Sequence, residues 1–579
     1  MQDIKEKIID AVKKASGIND VILDTPENEV FGDYTTNVAL TEFAKFQSPS
    51  SKHQKNFKFQ NPRELAEDLV EKLKTEKKLS EIVGKVEIAG PGFINFWLKN
   101  DALVDTLKQI DISKSDFGKT KNGKGKTVII DYSSPNIAKP FGIGHLRSTI
   151  VGQSLYNLYK ALGYEVVGDN HLGDWGTQFG KLICMIEMEK MQEFSVENLE
   201  KLYVEFHKKA EDNPELEEKA RECFRKLEAG DPETKAIWQK CVDISIKEFS
   251  KVYDLLGVKA DFAFGESYYE SEMKQMINDP SIRRYLIDGE EGAMVIDLTA
   301  YGIDTPLMFL KKDGATTYAT RDLATLRFRI RKWDPDIIIY EVGAEQTLHF
   351  KQVFAAAKLI GVVQKDTKLV HTAHGLYLAP DGKKFSTRQG KTIKLEDVLD
   401  EAIKRARKLQ KEDIGDASAE ISARQVGIGA IKYFDLMHSV QSNVIFDWEK
   451  IMNLEGNSGP YLQYTHARCT SVLAKVSNHK FQDPNKSQIT NFDLKNEEKS
   501  VLRTLVHFSE IVENAAETFS PNLLCNYLYD LAQKYNHLYN SLKIIGSEAE
   551  SFRLELTSGV RQVLKTGLEI LGIETPQRM

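Results

Sequence analysis

The sequence contains few of the features that mark secreted, metal-bound or membrane-spanning proteins. Its 579 residues include only five cysteines, and none of them forms a CxxC pair: Cys184, Cys223, Cys241, Cys469 and Cys525. Such an odd, dispersed set argues against a disulfide framework or a zinc site and predicts free thiols in a reducing compartment. No apolar run reaches the about 18 residues of a transmembrane helix, and the amino-terminal stretch is too charged for a secretion signal. We therefore expect a cytoplasmic protein with no membrane partner and no bound structural metal.

The sequence also lacks an excess of positive charge. It has 78 Lys and Arg against 85 Asp and Glu, which gives a formal net charge of −7. This balance excludes a protein that binds any polyanion, such as DNA, through its overall field. It leaves open a nucleic acid that is bound through local patches.

One stretch has no acidic residue. Residues 44–63 contain basic side chains interleaved with aromatic ones: Lys45, Lys52, Lys55, Lys58, Arg63, Phe46, Phe57 and Phe59. Cations can bind phosphates while rings stack on bases, so the segment is typical of an RNA-facing loop. An exposed loop inserted into a small domain explains the same composition, and the sequence leaves both interpretations open.

The middle of the chain predicts a doubly wound α/β fold. An apolar run from Thr127 to Ile130 is followed by a glycine-containing loop, a helical pattern from about His145 to Leu162 and a strand at YEVV, which together form a βαβ unit. A second unit spans 336–378, and a charged helical stretch of roughly 186–260 precedes it. Such units form a parallel sheet with a ligand crevice at the carboxyl ends of its strands.

The length of 579 residues suggests about three or four domains. We expect a small amino-terminal domain, the doubly wound domain with its helical insertion, and an all-helical carboxyl-terminal domain, over 1–115, 122–454 and 455–579.

Two loops have the composition of phosphate-binding loops. The first, Ser133 to Arg147, contains Gly142 and Gly144 and places His145 at a helix start, where anions are favoured. The second, Asp381 to Gly390, combines cations with hydroxyl groups and can close over a triphosphate as pyrophosphate leaves. Each loop alone is weak evidence, since a plain strand-to-helix turn and a solvated basic hairpin have the same composition.

Taken together, the two loops resemble those of a known family. FGIGH ending at His145 and KFSTR starting at Lys384 resemble the HIGH and KMSKS signatures of class I aminoacyl-tRNA synthetases. The surrounding strings are similar to those of arginyl-tRNA synthetases: DYSSPNIAKP, HLRST, NHLGDWGTQFG, YATRDLA, GAEQ, GNSGPYLQYTHAR and the terminal QRM. The resemblance runs from FGDYTTNVAL near the amino terminus to the last residue.

The resemblance implies a class I catalytic domain of the Rossmann-like type between an α+β amino-terminal domain and an all-α anticodon-binding domain. The implied activity is that of an arginine–tRNA ligase, with ATP, magnesium carried by ATP, L-arginine and tRNA(Arg) as reactants and a monomer as the expected state. Alternatives are a related class I synthetase for an amino acid such as cysteine or glutamine, and an inactive synthetase-like tRNA-binding protein.

The family pattern also assigns residues. The ATP site is expected to include Lys139, Gly142, Gly144, His145, Lys384 and Ser386. The arginine site is expected to include Asp131, Asn136, Glu266, Tyr318, Asp322 and Gln346. Two positions depart from the signatures: Gly142 replaces the first histidine of HIGH and Thr387 the second lysine of KMSKS, and Lys139 resembles the lysine that substitutes for the missing charge.

Residues of the outer domains are assigned to tRNA. Tyr461, Tyr464 and Arg468 are spaced i, i+3 and i+7, so they share one helical face and can stack on or bind unstacked anticodon bases. A buried tyrosine stripe has the same spacing. Met579 and Tyr539 are expected to join this surface, and Asn95 is expected to contact the outer corner of tRNA.

Overall fold

The computed structural model describes residues 4–26, 28–47, 59–363, 366–383, 393–410, 416–476 and 494–579. Within these ranges the chain forms two compact units. The first comprises Met1–Phe117, Val472–Phe508 and Leu531–Val563, and the second comprises Gly118–Ser471, Ser509–Asp530 and Leu564–Met579.

The amino-terminal part of the first unit is an antiparallel sheet with helices. Its strands are β1 (Tyr34–Thr36), β2 (Val83–Ala89) and β3 (Phe93–Leu98), in the order β1-β3-β2. Its helices are α1 (Ile4–Ser16), α2 (Val38–Gln47), α3 (Pro62–Lys74), α4 (Lys77–Ile82) and α5 (Asn100–Ser113). In α3, Asn61 caps the first turn, and Leu65, Leu69 and Leu73 recur every four residues on the buried face.

The two ends of the basic segment 44–63 are helical, which corrects the expectation of a loop there. Helix α2 continues to Gln47, and α3 begins at Pro62 after the Asn61 cap. Residues 48–58, with Lys52, Lys55 and Phe57, lie outside the described residues.

The second unit is built on the predicted parallel sheet. Its strands β4 (Thr127–Asp131), β5 (Glu165–Asp169), β9 (Ile337–Tyr340) and β10 (Lys368–His371) lie in the order β10-β9-β4-β5. Helix α6 (Leu146–Ala161) connects β4 to β5, and α14 (Thr347–Leu359) connects β9 to β10. The two central strands, β4 and β9, are buried on both faces, which explains their continuous Val and Ile content. The predicted doubly wound fold is confirmed.

Helices fill the stretch between β5 and the second half of the sheet, as predicted. They are α7 (Thr177–Glu189), α8 (Val196–Asp212), α9 (Glu215–Glu228) and α10 (Pro232–Leu256). Asp231 caps α10, Pro232 starts it, and Gly257 ends it with a left-handed φ of 62°. Ser245, Phe249 and Val252 lie on its buried face.

A smaller antiparallel sheet follows, with the order β6-β7-β8. Its elements are α11 (Glu270–Asn278), α12 (Pro280–Arg283), β6 (Leu286–Asp288), β7 (Met294–Ile296), β8 (Leu307–Leu310) and α13 (Tyr318–Trp333). A capping box between Thr317 and Thr320 fixes the start of α13, which carries predicted site residues.

The rest of the chain is mainly helical. Strands β11 (Tyr377–Leu378) and β12 (Val444–Ile445) pair in parallel. The helices are α15 (Leu395–Leu409), α16 (Asp416–Leu436), α17 (Trp448–Ile451), α18 (Gly459–Ala474), α19 (Asn496–Val506), α20 (Phe508–Glu517), α21 (Pro521–Ser541) and α22 (Glu550–Ile570). In the part of the chain that the structure describes, no helix has both the length and the apolar character needed to cross a membrane.

Candidate active site

The carboxyl ends of the parallel strands bring two aspartates together around a buried arginine. Asp131 ends β4 and Asp169 ends β5, and each has Oδ2 2.7 Å from Nη2 of Arg329 in α13. Arg329 is fully buried, and Asp131 also accepts a hydrogen bond from Ser134 Oγ at 2.9 Å. One guanidinium between two carboxylates leaves a net negative charge at this edge of the sheet. Asp131 therefore lies where a cationic group is attracted.

The segment that follows β4 carries the predicted Asn136 and Lys139. Asn136 is exposed, and the Ile137 N–H beside it donates to Gly173 O at 3.1 Å. A Cβ on Gly173 would lie 2.4 Å from Asn136 Oδ1, so a larger residue there would displace the Asn136 side chain. Lys139 is half-buried, with Nζ 5.6 Å from the centre of the Tyr203 ring. Both residues lie in the chain directly after the strand end where doubly wound sheets bind ligands.

The GIGH loop joins this segment to α6. His145 lies close enough to Lys139 for the two charges to interact: burial first, and then Lys139, lowers the pKa of His145. The imidazole is therefore neutral near pH 7, and its Nδ1 is buried without a hydrogen-bond partner among the described residues. A Cβ on Gly144 would point into open space. The loop thus offers an unused ring nitrogen and free room beside its backbone.

The described residues that follow the KFSTR loop pair with the GIGH loop. Ile143 N–H donates to Ile393 O at 3.1 Å, and Leu395 N–H donates to Phe141 O at 2.9 Å. Lys384 and Ser386 lie outside the described residues, and their assignment to ATP stays a prediction.

A buried ion pair anchors the start of α6. Arg147 and Asp435 in α16 are fully buried, with Nε 3.1 Å from Oδ1, and Arg147 also donates to backbone carbonyls of Ser439 and Ser442. The segment that contains these carbonyls pairs with the strand before Asp381, since Val444 N–H donates to Leu376 O at 2.9 Å. Arg147 therefore connects α6, which follows the GIGH loop, to the segment that pairs with β11.

Glu266 lies in a pocket of polar side chains near α13. Its Oε2 is 3.1 Å from Nη1 of Arg321, and both side chains are nearly buried. Burial raises the pKa of Glu266, Arg321 and His171 lower it, and Asp322 raises it, so all four residues lie within electrostatic reach. Predicted Glu266 thus contacts the residue that precedes predicted Asp322 in α13.

The turn that holds Glu266 is fixed from the next loop. Asp174 accepts hydrogen bonds from Ser267 N at 2.9 Å and from Ser267 Oγ at 2.6 Å. A Cβ on Gly265 would lie 2.3 Å from this carboxylate, so glycine is required directly before Glu266.

The remaining residues predicted for the arginine site lie on α13 and directly before α14. Asp322 Oδ2 is 2.5 Å from His349 Nε2, and both are partly exposed. Tyr318, at the first position of α13, is 71% exposed, and its ring centre is 5.3 Å from the Arg321 guanidinium carbon. Gln346 is exposed at the end of a short 3-10 turn before α14. Tyr318 and Gln346 are thus both accessible.

The predicted tRNA residues differ in their surroundings. Tyr461, Tyr464 and Arg468 are half-buried on α18, with the Arg468 guanidinium carbon 5.0 Å from the Tyr464 ring centre. Met579 packs with Ile403 against a buried cluster of alanines and Val426. Tyr539, in the first unit, is 37% exposed.

Asn95 is buried in the antiparallel sheet. It is 3% exposed, and its Oδ1 accepts a hydrogen bond from Thr35 Oγ1 at 2.6 Å. A contact with RNA would require the Asn95 side chain to become exposed and to break its hydrogen bond with Thr35.

The basic residues of these arrangements are absent from the predicted site residues: Arg147, His171, Arg321, Arg329 and His349. The aspartates Asp169, Asp174 and Asp435 are absent as well. Arg321 directly precedes Asp322 in the chain, but its partner lies 55 positions away. Arg147 lies in the string HLRST, on a helix whose other residues are mostly buried. A charged residue at such a position indicates a buried ion pair, and this signal was present in the sequence.

Histidines 371 and 374 make local contacts. His374 Nδ1 is 2.8 Å from Glu341 Oε1, and His371 Nε2 is 2.9 Å from Val342 O. Over the described ranges no group of three or more His, Cys, Asp or Glu residues is placed to hold a metal ion.

Comparison with known families gives the site its context. The profile described as "tRNA synthetases class I (R), catalytic domain" matches residues 106–448, more than half of the chain. The chain belongs to the arginyl-tRNA synthetase family. The "Arginyl tRNA synthetase N terminal domain" matches residues 2–98, and the "DALR anticodon binding domain" matches residues 462–579.

Curated relatives and solved structures of the arginyl-tRNA synthetase family agree with this assignment. The "Arginine--tRNA ligase" of Fusobacterium nucleatum is 37% identical, with 100% of this chain and 99% of the relative aligned. The "Arginine--tRNA ligase 2" of Bacillus anthracis is 39% identical over 96% of this chain and 95% of its own length. The arginyl-tRNA synthetase structure from Plasmodium falciparum superposes with a TM-score of 0.80 and 26% identity, covering 99% of this chain and 98% of that one. The Thermus thermophilus structure, with a TM-score of 0.81, 23% identity and 99% of each chain covered, shares the fold.

Proposed function

We propose that this protein is an arginine–tRNA ligase. It joins L-arginine to ATP, releasing pyrophosphate, and transfers the arginyl group from the adenylate to the 3'-terminal ribose of tRNA(Arg). The observation that carries the proposal is the position of Glu266, 3.1 Å from the residue that precedes Asp322 in α13, so that two carboxylates lie near the start of this helix in the class I domain. Two full-length relatives named arginine–tRNA ligase, 37% and 39% identical, support it.

We assign the guanidinium of the substrate to Glu266 and Asp322. A guanidinium presents a planar fork of donors that fits carboxylates, and a phenol oxygen such as that of Tyr318 adds an acceptor. The contact of Glu266 with the Arg321 side chain supports this assignment, since the carboxylate already accepts from a guanidinium.

The other end of the substrate is assigned to residues near the sheet. Asp131, at an edge with net negative charge, attracts the ammonium group, and Asn136 and Gln346 bind the ammonium and carboxylate. An analogue without the guanidinium would leave the buried polar groups of the site without hydrogen-bond partners. Such a site rejects the analogue by about 10⁴-fold, so no editing step is needed.

ATP is assigned to the GIGH loop and its surroundings. The arginine carboxylate attacks the α-phosphorus, and magnesium pyrophosphate leaves, so the chain's task is alignment and charge stabilisation. Neutral His145 donates an N–H to a phosphate oxygen, Gly142 and Gly144 let the nucleotide approach the backbone, and Lys139 supplies positive charge. Lys384 and Ser386 are assigned to the departing phosphates on the family pattern.

The tRNA is assigned to the helical domain and to the amino-terminal domain. Tyr461, Tyr464 and Arg468 are expected to bind anticodon bases, with Met579 beside them, and Asn95 is assigned to the outer corner of tRNA, which requires it to give up its bond to Thr35. We infer a cytoplasmic monomer.

The decisive experiment is arginine-dependent ATP–pyrophosphate exchange with and without tRNA(Arg). We expect exchange with arginine, and charging of tRNA(Arg) by the same preparation. Equal or greater exchange with cysteine or glutamine would replace the proposal with another class I synthetase. Binding of tRNA without exchange for any amino acid would indicate an inactive tRNA-binding protein.

A further inference from the structure

The segment between β4 and the GIGH loop is strained. Ser133, Ser134 and Ala138 have left-handed φ values of 72°, 45° and 62°. This conformation is unfavourable for an L-residue, and it persists only where the surroundings impose it. Asn136 and Lys139, to which we assign arginine and ATP, lie within and directly after these three residues.

Helix α10 holds the amino-terminal end of this segment. The hydroxyl of Tyr253 lies 2.8 Å from Ser133 Oγ and accepts a hydrogen bond from Asn170 Nδ2 at 2.9 Å. Asn170 Oδ1 in turn accepts from Ser134 N at 3.0 Å. Both strained serines are therefore bound, directly or through one residue, to Tyr253.

The same helix holds the carboxyl-terminal end. Ala138 N–H donates to Ser245 Oγ at 2.9 Å, and Ser245 donates its own proton to Cys241 O at 2.7 Å. Ser245 is fully buried. Phe249 lies between Ser245 and Tyr253 on this face, and its ring centre is 5.5 Å from that of Phe141. The spacing of four residues lets one helix face contact both ends of the segment.

Free space adjoins the strained turn. A cavity of about 220 Å³ is lined by Ser133, Asn170, Phe249 and Tyr253, among others. The Ser133 end of the segment therefore has room to relax toward ordinary φ values when the hydrogen bond to Tyr253 is removed.

We propose that Ser245 and Tyr253 are positioning residues of the active site. They act through the backbone of residues 133–138, which they hold in the left-handed conformation that presents Asn136 and Lys139 to the substrates. The inserted helix α10 thereby determines whether the substrate-binding segment is correctly shaped. This inference rests on the proposed function, because Asn136 and Lys139 matter only in that reaction.

The test combines hydrogen-bond removal with relief of strain. Ser245→Ala and Tyr253→Phe each delete a hydroxyl contact worth about 1 kcal/mol, so each is expected to raise the KM for arginine about fivefold in ATP–pyrophosphate exchange with saturating tRNA. Ala138→Gly removes the strain at the position that Ser245 holds, since glycine adopts positive φ freely. In the double variant Ser245→Ala/Ala138→Gly, the arginine KM is expected to return to within about twofold of that of Ala138→Gly alone.

The matched control is Tyr433→Phe. Tyr433 is a fully buried tyrosine whose hydroxyl also makes two hydrogen bonds, to Asn457 Oδ1 and Cys525 O. We expect it to lower the melting temperature about as much as Tyr253→Phe while leaving the arginine KM unchanged. Loss of thermal stability in Ser245→Ala and Tyr253→Phe without a change in KM would overturn the inference, and so would a glycine variant that gives no rescue. Absence of exchange in the unmodified protein would instead refute the proposed function.

Discussion

Arg321 Nη1 lies 3.1 Å from Glu266 Oε2, so an internal guanidinium occupies one of the carboxylates that we assign to the arginine substrate. Both side chains are nearly buried, and the charge of Asp322, the next residue of α13, raises the pKa of Glu266. Arg321 thus balances part of the negative charge that would otherwise accumulate there. A substrate guanidinium must add to this pair or take the place of Arg321 on Glu266.

Substitution of Asp322 tests the guanidinium assignment. Asp322→Asn keeps the shape of the side chain but removes its charge, and loss of a charge-assisted contact costs about 2–5 kcal/mol. We expect the KM for arginine to rise by about two orders of magnitude in ATP–pyrophosphate exchange, with the KM for ATP little changed.

Asp304→Asn, at an exposed aspartate before β8, serves as the control and is expected to behave like the unmodified protein. A folded Asp322→Asn variant with near-normal arginine activation would refute the role of Asp322.

The raised pKa of Glu266 predicts a pH dependence of arginine binding. Burial shifts the pKa of this carboxyl above its usual 4.5, and a protonated carboxyl no longer attracts a guanidinium. The kcat/KM for arginine is therefore expected to fall as the pH decreases through this raised pKa, at a higher pH than for an exposed glutamate.

The substitution Arg321→Met is expected to raise the pKa of Glu266 further, because Arg321 lowers it in the unmodified protein. We expect the acidic limb of the kcat/KM profile, measured between pH 5 and 8, to shift to higher pH in the variant. The kcat/KM for ATP, measured in parallel, controls for acid inactivation. An unchanged profile, or a shift to lower pH, would show that Glu266 does not control arginine binding.

The elements that were predicted from the sequence are those whose pattern lies within one short, continuous segment. Continuous Val and Ile runs separated by a helical period are sufficient to indicate β4, α6 and β5, because a strand buried on both faces needs no distant information. The strings around His145 and Asp322 likewise indicate the site, since they are contiguous.

The remainder depends on contacts between distant positions. Arg321 and Glu266 lie on different elements, and nothing at either position indicates the other. The strain after β4 is equally hidden: left-handed residues are usually marked by glycine, whereas here they are Ser133, Ser134 and Ala138, held by a helix more than 100 positions away. Asn95 is buried by the pairing of β3 with β1, which single-strand patterns do not predict.

Substitution of Lys139 tests whether this lysine supplies the charge that is missing because Gly142 and Thr387 depart from the HIGH and KMSKS signatures. Its charge should matter most when negative charge develops on the departing phosphates, so Lys139→Gln is expected to lower kcat about 100-fold with a smaller change in the KM for arginine. Lys181→Gln is a matched control, because Lys181 also has its ammonium group near an aromatic ring, 5.0 Å from Phe206. Equal losses in the two variants, or an effect of Lys139→Gln on KM alone, would contradict the assignment.

Lys432 provides a test of electrostatics in the second unit. This lysine is fully buried in α16 and donates to Leu256 O, at the end of α10, at 2.5 Å and to Gly572 O. Burial lowers its pKa from 10.5 to about 8, while Glu574 opposes the shift. The two carbonyl partners help to keep the charged form inside the protein.

The lowered pKa of Lys432 determines the sign of a stability change with pH. Between about 8 and 10.5 the unfolded chain binds the proton that the folded chain has released, so the free energy of unfolding from this group rises with pH. Relative to Lys432→Met, the unmodified protein is expected to gain about 2 kcal/mol between pH 8 and pH 10, measured by urea unfolding at each pH. Exposed Lys358→Met should show no such gain. If the difference between the protein and Lys432→Met stays constant over this range, Lys432 does not titrate there, and the two carbonyls stabilise its charge fully against burial.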